Sequence, residues 1–497
     1  MTRNPHPWKP GLPSAGRTGA PSAETAEGLP LSPKDRRLRA FVEYGLLALL
    51  VWTPLPVASV HEWSILLIQL AAVALFGATL AMDRPSRMNG LRARRLRWLR
   101  YAVPALFAFL LFQFLPLPAF AVRLLSPRAA ALREAYLPSE APPVVTLSLL
   151  PGRTLSSALT LAAYALIGYV VFRTVTHRRQ FRRVILVLVG LGVFEALYGL
   201  FELMRKDPRL LFYRKTISLD AATGTFVNRN HFAGYLEMVI PLALGLLLSR
   251  LDLFGDRRTW RERVARLVSR GAAVNILLGA GLVVMAVAVL RSNSRSGAVV
   301  LGFIFVLFFE FAAFHFGKKK LRNRRIRAVL VWVILGITAS AFYFGVDAMV
   351  GRFALDKLLQ DGRPQYWGAV LRMIADFPLT GVGLGAFGQV YQAYDAVAMP
   401  YALVHAHNDY FEFLSELGFI GFLLLAGIVF LIIGDAVLTW SRRRNPEVKS
   451  LALGGIVSLA ALLVHSLTDF NLQVPANALV FVVVLAMTSS MVYHRMS

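Results

Sequence analysis

A chain of 497 residues that is 56% hydrophobic, with a mean hydropathy of +0.56, does not have the composition of a water-soluble globular protein. It contains no cysteine, which excludes disulfides, thiolate metal sites and cysteine nucleophiles. Its formal charge of +26 would point to nucleic acid in a soluble protein, but in a membrane chain basic residues first have to be assigned to loops.

Taken in chain order, residues 1–40 are rich in Pro, Gly, Ser and Ala and lack an apolar signal-peptide core. They are expected to form a disordered cytoplasmic tail. Apolar runs of about 20 residues then recur to the C-terminus, each long enough to cross roughly 30 Å of hydrocarbon. The fold class is an all-α polytopic membrane protein. About twelve spans are expected, near 41–59, 63–82, 101–120, 154–172, 184–203, 231–249, 272–290, 297–316, 328–346, 417–440, 451–468 and 475–493. A β-barrel would instead show segments of about ten residues with alternating polarity.

Every second connection is crowded with arginine and lysine, as in 84–100, 173–183, 250–270, 318–327 and 442–449. Together with the two ends of the chain, that side carries 38 of the 54 basic residues. The positive-inside rule then places both termini of this multi-pass protein in the cytoplasm. Topology and attraction to anionic membrane lipids account for the cationic surplus, and no nucleic acid partner is expected.

The opposite connections are 121–153, 204–230, 291–297 and 347–416. The last of these joins spans 9 and 10. At about 70 residues it is far longer than an ordinary helix–helix connection. It divides the chain into spans 1–9 over 41–346, a periplasmic loop over 347–416, and spans 10–12 over 417–497. Within it, Gln365, Ala369, Arg372 and Met373 follow helical spacing, so a short helix on the membrane surface is expected.

Four outward motifs carry polar chemistry. In TGTFVNRNHFAGYLEMVIP (223–241), Asn228 or Asn230 can cap the span that follows, with Arg229 inside the motif and Arg214 and Lys215 upstream. In RSNSRSG (291–297), Arg291 and Arg295 are four apart and would share a face of a helix. Snorkelling to headgroups explains such a pair as readily as a guanidinium fork on a diphosphate. In RPQYWGAVLRMIADFPLTGVGLGAFG, Arg363 precedes Trp367.

In VHAHNDYFEFLSELG (404–418), Asp409 and Glu412 have the spacing of an N-cap with a reciprocal carboxylate, so a helix is expected to start at Tyr410. His405, His407 and Asn408 then lie before a helix N-terminus, where backbone N–H groups attract anions, and Glu416 falls one turn beyond Glu412. Composition alone favours capping and interface roles for this stretch, although His407 is suited to accept a proton near neutral pH.

GLGAFG (383–388) satisfies a dinucleotide-loop pattern but has no surrounding βαβ unit. No Walker A, H-E-x-x-H or Asp-x-Asp pattern is present, so neither a metal nor a cofactor is expected. Glu195, Glu237 and Glu310 lie in or near spans, where a carboxylate is a functional candidate by default.

These motifs in this order resemble the O-antigen ligase and O-antigen polymerase family of bacterial membrane glycosyltransferases. The resemblance covers roughly 190–440. It implies a C-type glycosyltransferase fold and a metal-independent enzyme at the periplasmic face, moving a glycan from undecaprenyl diphosphate to an acceptor hydroxyl. That acceptor is lipid A–core for a ligase, or the growing glycan for a polymerase.

It further implies that Arg295 is the short-loop arginine and His407 the catalytic histidine, with Glu416 and Gly418 in the E-x-G pattern. Arg363 matches the basic residue ahead of Trp367. Arg229 or Arg214 is the upstream diphosphate contact, and His405 is an additional histidine that leaves the choice of base open. A flippase or transporter of lipid-linked sugars is the non-enzyme alternative. It would place charges along a midplane cavity within repeated halves, and no repeat is visible here.

Overall fold

The computed structural model describes residues 32–82, 95–136, 143–250, 270–316, 363–394 and 403–493. Over these residues the chain is an all-α polytopic membrane protein. Nine helices among the described residues are long and apolar enough to span a bilayer. They are α2 (Glu62–Leu80), α6 (Pro151–Thr174), α7 (Arg178–Leu203), α8 (Arg229–Arg250), α9 (Arg270–Arg291), α10 (Arg295–Phe316), α13 (Asp409–Ser441), α14 (Pro446–His465) and α15 (Pro475–Tyr493). Helix α1 (Pro33–Trp52) precedes them and the shorter apolar α3 (Leu99–Phe114) lies between α2 and α6.

These elements account for eleven of the expected spans; the one at 328–346 lies outside the described residues, as does the tail over 1–31. Two boundaries differ from expectation. Ser32 caps α1 by accepting from the Asp35 N–H at 3.0 Å, and Pro33 stands at the first helical position, so residues 33–40 are helical. Helix α3 stops at Phe114, and the chain turns into an extramembrane excursion where a longer span was expected.

The layering follows from which helices are apolar all round. Helices α8, α14 and α15 are almost wholly enclosed by protein, whereas α13 and α2 present most of their apolar surface outward, as lipid-facing helices do. Helices α8 and α14 approach backbone to backbone at Gly245 and Gly454. A β-carbon on Gly245 would lie 2.6 Å from the Ser450 carbonyl oxygen, and one on Gly454 would lie 2.6 Å from that of Pro241. Without a hydrophobic drive between helices in lipid, such small-residue contacts supply dispersion attraction.

A second, smaller core forms a cap at one end of the bundle. It joins α4 (Ala119–Leu125), α5 (Pro127–Tyr136), α11 (Arg363–Asp376) and α12 (Phe387–Tyr391), with Val122, Leu147, Met373, Phe377, Phe387 and Tyr391 buried between them. The expected helix in the long loop is thus α11, with Ala369 and Met373 inward and Arg372 exposed. Two short antiparallel pairs complete the excursions at this end. They are β1 (Leu117–Pro118) with β2 (Val144–Val145), and β3 (Arg209–Leu210) with β4 (Tyr213–Arg214).

Backbone groups make the main junction between the cap and α13. Helix α13 breaks at Gly418, at φ 61° and ψ −176°. A break strands the carbonyls of residues 415 and 416 and the N–H groups of 419 and 420, all of which a continuous helix would pair. The loop 378–383 pairs every one of them. The Val382 and Gly383 N–H groups donate to the Ser415 and Glu416 carbonyls at 3.0 Å each, and the Phe419 and Ile420 N–H groups donate to the Pro378 and Leu379 carbonyls at 2.7 and 3.3 Å. Gln113 Nε2 from α3 donates to both the Thr380 and Glu416 carbonyls, at 2.7 and 2.9 Å.

The segment 378–383, which runs into the glycine-rich stretch that imitates a nucleotide loop, is therefore the strap that closes a broken helix. Gly418→Ala would place a β-carbon 2.4 Å from the Leu379 carbonyl carbon while demanding a backbone conformation reserved for glycine. The expected outcome is a loss of about 3 kcal/mol or more, read as a collapse of the monodisperse peak in fluorescence-detected size exclusion; Gly427→Ala, on the open face of the same helix, leaves that peak unchanged.

Candidate functional site

Three helices begin at the cap end around the short connection 466–474 between α14 and α15. The start of α8 reaches it through Asn230, whose Nδ2 donates to Asp469 Oδ2, and through His231, whose Nε2 lies 3.5 Å from Asp469 Oδ1. The start of α10 reaches it through Ser296, whose Oγ accepts from Thr468 Oγ1 at 2.8 Å. The start of α13 reaches it through His407, whose Nδ1 lies 3.1 Å from Asp469 Oδ1. Three helix N-termini, each the positive end of its helix, thus meet around one buried carboxylate.

Asp469 also accepts from the Phe470 N–H at 2.9 Å. Burial acts to raise its pKa, but the neighbouring His231 and His407 rings outweigh it and hold the carboxyl well below the ordinary carboxylate range. An ionised Asp469 accepting from His407 Nδ1 leaves Nε2 of that ring as the proton acceptor. His407 itself sits at φ 49°, a left-handed conformation that a non-glycine residue keeps only where its surroundings enforce it. Those surroundings are the Asn408 Nδ2 bond to the Leu467 carbonyl at 2.9 Å and the Asp409 N–H bonds to the Ser466 and Asp469 carbonyls.

A second histidine–carboxylate pair stands beside the first. His405 Nδ1 lies 2.7 Å from Glu412 Oε1, while Glu412 Oε2 accepts from the Ala406 N–H at 2.8 Å. Burial pulls the His405 ring toward neutrality, and the Glu412 carboxylate beside it prevails, so the pKa of His405 lies above the ordinary histidine value. Phe470 separates the two pairs. His405 stacks on its face at 4.1 Å between centroids, and His407 and His231 meet it edge-on at 4.8 and 4.4 Å.

Two expectations for this end of the chain are corrected. Asn408, not Asp409, caps α13: its Oδ1 accepts from the Phe411 N–H at 3.0 Å, and the helix starts at Asp409. Asp409 is instead drawn inward, accepting from Ser466 Oγ at 2.6 Å and the Leu472 N–H at 3.0 Å, so the reciprocal cap with Glu412 does not form. Arg291 and Arg295 do not share a helix face. Arg291 ends α9, Arg295 opens α10, and the turn Ser292–Ser294 between them carries Asn293 at φ 55°. Ser294 Oγ accepts from the Gly297 N–H at 3.1 Å, as the cap of α10.

The other candidate residues divide by position. Arg229 and Arg295 are the first residues of α8 and α10, each next to the side chain that binds the 466–474 connection. Asn228 caps α8, its Oδ1 accepting from the Asn230 N–H at 2.8 Å. Arg363 opens α11, which is held beside His407: Trp367 Nε1 donates to the Ala406 carbonyl at 2.9 Å, and the Tyr366 and His407 rings are 6.2 Å apart.

Arg291 is tied to the upstream excursion through its carbonyl, which accepts from the Ala222 N–H at 2.9 Å. Arg214 lies on the exposed β3–β4 hairpin with Asp207 at 3.2 Å, whereas its neighbour Lys215 turns inward to donate to the Ala221 carbonyl at 2.6 Å. Burial lowers that lysine to about 8. Glu416 is buried under the strap, with Oε1 accepting from the Phe387 N–H at 3.1 Å. Glu195 has a parallel duty: its two oxygens accept from the Thr225 N–H and hydroxyl at 2.8 and 2.9 Å, anchoring the TGTF turn.

Asp469 and Phe470 are site residues that motif reading passed over. Their signal is a carboxylate in a short outward connection, in HSLTDFNLQVP, which outside the other motifs reads as an ordinary polar loop. No group of three or more His, Asp or Glu side chains suited to a metal ion occurs among the described residues.

The fold and this polar end define a class, a multi-pass membrane protein with a histidine–carboxylate site at one face. Residues 280–426 match the family model described as O-antigen ligase. The chain is also 23% identical over 334 residues to the exopolysaccharide production protein ExoQ of Rhizobium meliloti (strain 1021), a match that covers 65% of this chain and 69% of the relative. Both similarities support a role in surface-polysaccharide biosynthesis of the O-antigen ligase or polymerase type.

The His405–Glu412 pair has a consequence for pH. A histidine raised in the folded state contributes stability that is fully present below its unfolded value, about 6.5, and that is lost as pH rises through the higher folded value. Thermal unfolding of the detergent-solubilised chain is expected to lose stability across that window, and His405→Asn to flatten the decline; parallel pH curves for the two proteins would exclude the pair as its source.

Proposed function

We propose that the protein is a glycosyltransferase that moves a glycan from undecaprenyl diphosphate to an acceptor hydroxyl at the periplasmic face of the inner membrane, with both termini in the cytoplasm. The observation that carries this reading is the His407–Asp469 pair, set where two arginine-opened helices begin. In the reaction, the acceptor oxygen bonds to the anomeric carbon as its proton passes to His407 Nε2. The bond from that carbon to the diphosphate oxygen breaks, and its electron pair leaves with the diphosphate.

Direct displacement inverts the anomeric centre. Arg295 and Arg229 stabilise the charge that grows on the leaving diphosphate, together with the N-termini of α8 and α10. Arg363 and His405 add cationic groups around the donor, and Asp469 keeps His407 in the tautomer that accepts the proton. The chemistry needs no metal, because guanidinium groups and helix ends supply the positive charge.

In this reading the long loop and cap shape the acceptor site. Attachment of a finished glycan to lipid A–core is the ligase form of the reaction. The polymerase form, in which the acceptor is another lipid-linked repeat, is favoured by one observation: the relative in Rhizobium meliloti is named for exopolysaccharide production. Glycan analysis of a deletion strain separates them. Long lipid-linked chains left unattached identify a ligase, and single repeats identify a polymerase.

Transfer from a lipid-diphosphate donor by purified, correctly inserted protein tests the chemistry. His407→Ala is expected to reduce kcat by about 10²–10⁴-fold, with Asp469→Asn following it in the same direction. Arg295→Ala is expected to cost about 10²-fold or more; full activity in Arg295→Ala would remove the diphosphate role. Arg214→Ala, on the exposed hairpin, is expected to stay within about threefold of the parent.

A further inference from the structure

The β3–β4 hairpin turns back along the helix it leaves. Its strands pair Arg209 with Arg214 and Leu210 with Tyr213, so the tip is Leu211 and Phe212, and Leu211 takes φ 54° to make the turn. Two side chains of α7, one turn apart, hold the outer edge of β3. Tyr198 Oη accepts from the Leu211 N–H at 2.8 Å and donates to the Arg209 carbonyl at 3.0 Å. The Glu202 carboxylate accepts from the Arg209 N–H. The tip is thereby fixed at the level of Tyr198, which lies before the end of α7 at Leu203. At 1.5 Å per residue, that level is about 7.5 Å inside the end of the span.

Apolar and aromatic side chains surround this level. Along α7, Leu186, Phe194, Leu197 and Phe201 fall on one face and are all exposed, as on a helix that faces lipid. Neighbouring elements mark the same depth with aromatic rings. Tyr213 meets His61, just before α2, with 5.9 Å between ring centroids. Trp63, in the first turn of α2, meets Trp52, the last residue of α1, edge-on at 5.8 Å. Tyrosine and tryptophan concentrate where hydrocarbon gives way to headgroups. Phe212 stands at this depth and is 93% exposed. The hairpin around it is cationic: Arg205, Lys206, Arg209 and Arg214 outnumber Glu202 and Asp207, the first pairing with Glu202 at 3.1 Å and the last with Asp207 at 3.2 Å.

We propose that the β3–β4 hairpin is a membrane anchor: Phe212 enters the apolar edge of the leaflet on the cap side, and the basic residues meet the headgroup phosphates of that leaflet. Three observations select lipid as the occupant. The tip lies within the length of a spanning helix, not beyond it. The apolar surface that it extends is the lipid-facing stripe of α7, so one medium covers both. The β3 edge, which would otherwise need water or another strand, is closed by Tyr198 and Glu202, and this removes the backbone cost of leaving water. The anchor is independent of the chemistry proposed for His407.

The chain contains no cysteine, so one introduced cysteine carries a nitroxide label at a single known place. The test uses the full chain in nanodiscs of phosphatidylethanolamine and phosphatidylglycerol, labelled at Phe212→Cys. Leu197→Cys, on the stripe of α7, is the lipid reference, and Lys206→Cys, beyond the end of the helix, is the water reference. Paramagnetic resonance compares collisions with oxygen, which partitions into lipid, and with a water-soluble nickel chelate. The oxygen-to-nickel ratio at Phe212→Cys is expected to approach that at Leu197→Cys and to exceed that at Lys206→Cys severalfold. Tyr213→Cys, the next residue along, reads the same depth if Phe212→Cys does not yield monodisperse protein.

A ratio equal to that at Lys206→Cys would place the tip in water and overturn the proposal. A label shielded from both reagents would place protein against the tip and overturn lipid as its occupant.

Discussion

One buried carboxylate organises the chemically distinctive end of this protein. Asp469 receives Asn230 and His231 from one helix start and His407 from another, and the residue before it, Thr468, binds a third. A charge taken out of water is tolerated only when its lone pairs are satisfied, and here the donors come from elements far apart in sequence. The geometry of His407 therefore depends on how α8, α13 and the α14–α15 connection pack, not on the local chain around the histidine. Phe470 packs among three imidazoles and lies between the two histidine–carboxylate pairs.

The broken helix α13 serves the same end. Its first nine residues carry Glu412, the partner of His405, and the carbonyls that the strap binds, and its remainder is the apolar span. A straight helix would aim its first turns along the axis of the span. The break at Gly418 allows residues 409–417 to belong to the cap, and the backbone exchange with 378–383 makes the junction complete. The polar floor of the cap and the lipid-facing span are thus built from one helix without an unsatisfied amide at their boundary.

Much of this was legible in the sequence. Apolar runs about 20 residues long located eleven helices, because the hydrocarbon thickness leaves little freedom in span length. The outward polar motifs pointed to the end at which His405, His407, Arg229 and Arg295 are found. What periodicity could not see was partnership across the chain. Asp409 and Glu412 have capping spacing, yet Ser466 and Ala406 claim them, and the cap falls to Asn408. Arg291 and Arg295 are four apart, yet a left-handed residue between them separates two helices. Asp469 had no neighbouring motif to distinguish it, since its significance lies wholly in what folds against it.

The carboxylate that orients His407 also lies outside the segment that matches the O-antigen ligase family, which ends at residue 426, and so do Arg229 and His231. Under the proposed mechanism, the matched segment is therefore not an autonomous catalytic module. A chimera that transplanted residues 280–426 into another scaffold would carry the histidine but leave behind its carboxylate and one of its arginines. Inheritance of the proposed activity by recombination would demand that nearly the whole chain travel together.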